Sequence, residues 1–187
     1  AFVVGAGAIV PGYDHVSQHV SELARRDGER AWVLRLGLVL VGLLDLVLAR
    51  GLAAEAESRT GRSVARLVGF LGVATMGTGV LPLEPADAAS DALARAHVGA
   101  AATAFAFDTI TPLVFARAPE VRGDRGMRVF SLLSGAAAAV LLVPVAFGWW
   151  PAYHGATQRA FLVAPFLWTG GLGAWLLRRA RRGPARG

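Results

Sequence analysis

An α-helix that crosses a bilayer must cover about 30 Å of hydrocarbon at 1.5 Å per residue, which takes about 20 consecutive apolar residues. Five stretches of this chain meet that requirement, at 31–52, 63–83, 97–118, 127–150 and 160–177. A sixth, at 1–10, is too short to span, lacks the basic start of a signal peptide, and stops at Pro11-Gly12. We read it as the outer part of a truncated first helix. With 55% hydrophobic and 17% charged residues among 187, the chain lies outside the range of ordinary soluble domains. The expected fold is all-α: a polytopic membrane bundle of six transmembrane helices, the first truncated, with 1–187 as a single integral membrane domain.

Charge then sets orientation. The net charge of +6 rests entirely on arginine, because the chain has no lysine. The arginines lie in short clusters between apolar runs rather than along one basic face, which argues against nucleic acid as a partner. Lys and Arg in short loops are retained on the cytoplasmic side. Arg50, Arg59, Arg62 and Arg66, then Arg117, Arg122, Arg125 and Arg128, and finally the tail 178–187 with Arg178, Arg179, Arg181, Arg182 and Arg186, fall on one side. The opposite loops carry sparser arginines diluted by Asp and Glu, and Trp32, Trp149 and Trp150 mark their interface. We therefore expect a multi-pass protein of the bacterial plasma membrane with a cytoplasmic C-terminus, the all-arginine usage suggesting a GC-rich genome. Membrane lipids are the expected partners, and the sequence names no protein partner.

All four histidines, His15, His19, His97 and His154, fall on the outer side. The loop Tyr13-Asp14-His15-Val16-Ser17-Gln18-His19-Val20-Ser21-Glu22-Leu23 has helical spacing, with Val16, Val20 and Leu23 on one apolar stripe. It predicts a short interfacial helix folded back over the bundle, capped by Asp14, with Glu22 paired to Arg159 and with His97 and His154 approaching from helix ends. The candidate outer-face polar site is thus Asp14, Ser17, Ser21, Glu22, His97, His154 and Arg159. His15 and His19, one turn apart, form a weak alternative metal pair, but H-E-x-x-H is absent and no metal site is assigned. Nothing in the sequence implies a cofactor, and the absence of cysteine excludes thiolate chemistry.

Within the spans, Asp45 and Asp108 sit at comparable depth, about 20 Å below the outer ends of their helices. Intramembrane carboxylates are costly and should face the bundle rather than lipid. Thr109, Thr111 and Ser134 are the expected hydrogen-bond partners, Pro112 a source of a kink, and Arg35 a snorkelling residue.

Asp14, the Ser17-to-Ser21 spacing, Arg95-Ala96-His97 opening a helix and the run His154-Gly155-Ala156-Thr157-Gln158-Arg159 before the last span together resemble the bacterial membrane family catalogued as domain of unknown function 998. The resemblance covers nearly the whole chain. It implies a six-helix bundle and singles out Ser21, Glu22, His97 and Arg159 as recurrent polar positions, and it implies no activity.

Three function classes follow. One is an integral membrane protein that binds a lipid or partner through a polar outer pocket. The second is a membrane-embedded hydrolase or transferase using outer His, Ser, Glu and Arg side chains, for which no G-x-S-x-G elbow is present. The third is a small transporter using Asp45 and Asp108, for which no internal repeat is evident. The arginine pattern makes one direct prediction: a reporter fused after residue 187 is active only in the cytoplasm, and activity on the far side of the membrane overturns the orientation.

Overall fold

The computed structural model describes residues 5, 7–25, 28, 30–81 and 92–182. Five helices in it are long and apolar enough to cross a membrane. They are α1 (Ala31–Glu55), α2 (Arg59–Val80), α3 (Ala92–Phe115), α4 (Arg125–Phe147) and α5 (His154–Arg182). Short 3₁₀ turns lie at Val20–Ala24, Pro119–Val121 and Pro151–Tyr153. Half of the expected first helix at 1–10 lies outside the described residues, as does the end of the tail.

Local chemistry fixes the boundaries. The Ser58 hydroxyl accepts from the Gly61 amide at 2.9 Å to start α2, and Asp124 accepts from Met127 at 2.9 Å to start α4. Gly148, at φ +59°, ends α4 in the left-handed conformation that glycine adopts without a Cβ clash. α3, α4 and α5 run through Pro112, Pro144 and Pro165, which membrane helices tolerate when neighbours cover the freed carbonyls.

Each long helix packs mainly on its neighbours in sequence, whereas α1 and α5 meet only sparsely. The α1–α2 crossing is a backbone contact. A Cβ on Gly72 would stand 2.7 Å from the Gly42 carbonyl oxygen, and one on Gly79 would stand 2.6 Å from that of Arg35. Arg35 is more than a snorkelling residue: its Nε donates to Gly79 O at 3.1 Å and its Nη2 to Val80 O at 2.9 Å. It thereby satisfies carbonyls that the end of α2 leaves open.

The bundle has one packed half and one hollow half. In the arginine-bearing half, Phe115 meets Trp168 and Trp175 edge-on, at centroid distances of 5.9 and 5.4 Å. Leu52, Val64, Val68, Val121, Met127 and Leu172 fill the space around them. Trp168 Nε1 donates to Ser131 Oγ at 2.9 Å, so even this indole is satisfied. At the loop end, Ser58 gives both its amide and its hydroxyl to Glu120, at 2.8 and 2.9 Å. Burial raises the Glu120 carboxyl, but these donors outweigh it and hold the group below its usual value.

At the opposite end, Trp32, Trp149 and Trp150 are all more than half exposed, as indoles in an interfacial belt are. The glycine crossing carries a test. Gly72→Ala forces α1 and α2 apart and should lower stability in detergent by about 1–3 kcal/mol. Gly69→Ala, whose new Cβ meets only Ala49 Cβ at 3.8 Å, should be neutral or stabilising by up to about 1 kcal/mol. Equal thermal unfolding midpoints for the two variants would sink the close crossing.

Candidate functional site

The hollow half is closed at its histidine end by the segment from Tyr13 to Ala24. The expected interfacial helix is replaced by turns followed by the 3₁₀ helix Val20–Ala24, which sits against α1 and α5. Val20 and Leu23 are buried at 5% exposure each, as their stripe requires, but Val16 stays 44% exposed. Regular helical spacing does not survive because distant groups take over the segment's backbone bonds.

The start of α5 is the receiving surface. Gly155, Gln158, Arg159 and Leu162 follow the i, i+3, i+4, i+7 spacing of one helix face. Gln158 Oε1 accepts from the buried Val20 amide at 2.7 Å. Arg159 Nη1 donates to the His15 and Gln18 carbonyls at 2.7 and 3.3 Å, and its Nη2 to the Tyr13 hydroxyl at 2.5 Å. The Ala156 amide donates to Val16 O at 2.9 Å. A Cβ on Gly155 would overlap the Gln18 carbonyl and lie 2.6 Å from that of His15, so only glycine admits the loop this closely. Leu162 packs beneath with Val20, Leu23 and Leu34. Burial raises the Tyr13 phenol, and the adjoining Arg159 cation opposes that shift.

The predicted polar residues therefore separate. Asp14 and Ser17 form a local cap facing solvent: Asp14 accepts from the Val16 amide at 2.9 Å and from the Ser17 hydroxyl at 2.5 Å. The Ser17 bond, with the amides, holds the Asp14 carboxyl below its usual value. Glu22 does not pair with Arg159; it accepts from the His19 amide at 3.0 Å and from Gln18 Nε2 at 3.3 Å. Arg159 meets carbonyls instead, because loop carbonyls beside an apolar roof need donors and a guanidinium supplies several.

His154 lies against His19, with ring centroids 4.8 Å apart. His15 turns instead onto Tyr13, so His15 and His19 do not face one ion. Among the described residues no group of three or more His, Asp or Glu side chains could hold a metal. His97 stands apart: it is 1% exposed, and its Nδ1 lies 2.7 Å from Leu81 O at the end of α2. No serine is hydrogen-bonded to a histidine among the described residues. Burial, with the charge of His154, lowers the His19 pKa from 6.5, while Glu22 and Gln158 oppose the shift.

Beneath this roof lies a cavity of about 770 Å³, counted out to its mouth. It is lined by one stripe from each of four helices: Leu34, Leu38, Val41 and Asp45 on α1; Leu71, Thr75 and Thr78 on α2; Ala101, Ala104, Phe105 and Asp108 on α3; and Gln158, Leu162, Phe166 and Thr169 on α5. Val20 and Ser21 complete its roof. Asp45 is 4% exposed and points into the bundle, as does Asp108. The expected partners are engaged elsewhere or idle: Thr109 donates to Phe105 O at 2.9 Å, Thr111 Oγ1 has no partner, and Ser134 binds neither carboxylate. Neither Asp accepts a hydrogen bond from a described residue, and no Arg or His lines the cavity.

Sequence reasoning named Ser21, Asp45 and Asp108 but missed that they border one space. It also missed Gln158, Tyr13 and Gly155 as the residues that hold the roof. The available signal was the 3.6-residue stripe, with one or two polar groups on each, repeated on four helices.

The family model described as "Protein of unknown function (DUF998)" matches residues 1–183, and the chain belongs to that family. No curated protein and no solved structure matches it.

The roof makes a testable latch. Gln158→Leu leaves the buried Val20 amide without an acceptor, a loss of about 1–3 kcal/mol. Amide hydrogen exchange across Val20–Ala24 should accelerate while the packed half keeps its protection. Acid should act in the same direction: the stability contributed by neutral His19 is full above 6.5 and is lost as pH falls through the depressed folded-state value. Unchanged exchange in Gln158→Leu discards the latch.

Proposed function

We propose that this membrane protein binds a small, mainly apolar molecule carrying a basic or hydrogen-bond-donating group, held in the cavity beneath the Tyr13–Ala24 roof. One observation carries this reading: two carboxylates share an apolar-walled space with no cation and no hydrogen-bond donor committed to them. An unpaired carboxylate in such surroundings is strongly disfavoured. A ligand ammonium or N–H group would supply the missing partner, while Leu34, Leu38, Leu71, Phe105 and Phe166 would cover its apolar body. Thr75 and Thr169 add hydroxyls at the same wall.

In this reading the histidine end faces outward and the arginine clusters face the cytoplasm of a bacterial cell, supported by the asymmetry between the two ends. The outer polar residues then serve as the cavity's roof rather than as a separate pocket. Transport is a second reading favoured by one specific feature, the placement of both carboxylates near mid-helix on a single space.

The test uses a fluorescent alkylamine and its uncharged alcohol counterpart with the detergent-solubilised protein. Saturable amine binding should weaken about tenfold or more in Asp45→Asn and in Asp108→Asn, the scale of one charge-assisted hydrogen bond. Alcohol binding should change little. Equal binding of amine and alcohol by the parent and both variants overturns the proposal.

A further inference from the structure

A second cavity lies at the other end of the molecule, where the turn after α3 delivers the chain into α4. It is lined by Arg122, Arg125, Arg128, Val129 and Leu132 and measures about 650 Å³ out to its open face. Arg125, Arg128, Val129 and Leu132 follow helical i, i+3, i+4, i+7 spacing, so they share one face of α4. That face changes character along its length. Three guanidiniums stand at the helix end, and two aliphatic side chains follow within about 10 Å toward the membrane-spanning part. Val129 and Leu132 are 44% and 38% exposed.

The three guanidiniums are exposed and make no hydrogen bond or ion pair to a described residue. Three other arginines at this end are engaged, Arg62 donating to Glu57 O, Arg117 to Leu113 O and Arg179 pairing with Glu55, whereas Arg50, Arg59 and Arg66 are exposed but do not line this cavity. Acids that might neutralise the cluster are committed as well. Asp124 caps α4 through the Met127 amide, and Glu120 takes both donors of Ser58. The start of α4 adds its own partial positive charge. A concave site with three uncompensated fork-shaped donors above an aliphatic wall matches one chemistry: a phosphate ester attached to an acyl chain.

We propose that Arg122, Arg125 and Arg128 bind the phosphate of an anionic phospholipid, whose acyl chain lies along Val129 and Leu132. The site is separate from the cavity between the helices, and its occupancy does not depend on that cavity's ligand. It acts by charge and shape, with no covalent step.

The experiment compares phosphatidylglycerol with phosphatidylcholine on the full chain in nanodiscs, read as retained lipid by native mass spectrometry. Phosphatidylglycerol should be retained selectively. R122Q/R125Q/R128Q should weaken it on the order of 100-fold, about fivefold for each arginine from about 1 kcal/mol apiece. The control R50Q/R59Q/R66Q removes the same charge from exposed arginines outside the cavity and should cost far less. Equal losses would mean a diffuse basic surface and overturn the site. Because neutralising arginines can disturb insertion, R122K/R125K/R128K provides a charge-preserving variant. It should weaken retention about tenfold by losing the bidentate forks, and wild-type retention in it also overturns the proposal. Inorganic phosphate distinguishes the source of the anion. For a lipid site, V129S/L132S weakens phosphatidylglycerol several-fold and free phosphate fails to displace it. Displacement by phosphate with V129S/L132S unaffected would identify a free-phosphate site and discard the lipid.

Discussion

Backbone N–H and C=O groups near hydrocarbon have no water to fall back on, and this scarcity of partners organises the polar residues of the bundle. Within the spans the helices satisfy themselves. At their ends they cannot, since each terminus leaves several groups open. Arg35 closes the end of α2, His97 reaches the carbonyl just beyond it, and Ser58 and Asp124 start α2 and α4. Gln158 and Arg159 do the same service for the loop that covers the hollow half. Residues that look catalytic in a one-dimensional sequence are mostly occupied in this way.

The same constraint explains why the outer polar set does not converge on a reacting centre. A histidine useful as a base needs a nucleophile within hydrogen-bond reach. Here His19 lies against His154 with the two rings tilted, Ser17 donates to Asp14, and Ser21 lines the cavity. What does converge lies deeper. Asp45 and Asp108 occupy the region that sparse α1–α5 contact leaves unfilled, and neither accepts a hydrogen bond from a described residue. Most polar groups in this bundle are satisfied locally, with Thr111 Oγ1, His97 Nε2, His154 Nε2 and Arg159 Nε as buried exceptions; the two carboxylates differ in sharing one cavity, which is why the proposed function rests on them.

The five long helices were legible in the sequence, since apolar length is an additive property that needs no knowledge of tertiary contacts. The five spans differ from the observed helices by several residues at their ends, where caps such as Ser58 and Asp124 extend a helix into polar sequence. The inward orientation of Asp45 and Asp108 was likewise legible, from the cost of exposing a carboxylate to lipid. The roof was not. Val16 through Leu23 carries a helical period, yet Val20 gives its amide to Gln158, 138 positions away, and local spacing contains no record of that bond. The expected Glu22–Arg159 pair failed for a related reason: opposite charge is visible in sequence, whereas the competing carbonyls of His15 and Gln18 are not. The cavity was half legible, because each lining stripe can be written from helical periodicity but their meeting depends on how the helices cross.

The contrast between the two halves carries a final consequence. Around Phe115, Trp168 and Trp175 the bundle is filled by large rings, and the adjoining loops are tied by Glu120 and Arg179. Around Asp45 and Asp108 it is hollow, because α1 and α5 meet there only sparsely and a short 3₁₀ turn bridges them. A Leu-sized side chain at Ala101 or Ala104 would have filled part of that space and supplied dispersion contacts that the alanines do not. Small residues at those positions, together with two unpartnered carboxylates, cost stability twice over. The packed half can bear that cost, because close packing there does not depend on what the hollow half contains. Under the proposed function, a bundle so divided would hold its shape at one end while the other admits an occupant, with the Tyr13–Ala24 segment as the part to move. The polar residues at the start of α5 are then explained by position: they are the points at which a weakly held roof is fastened to a rigid helix.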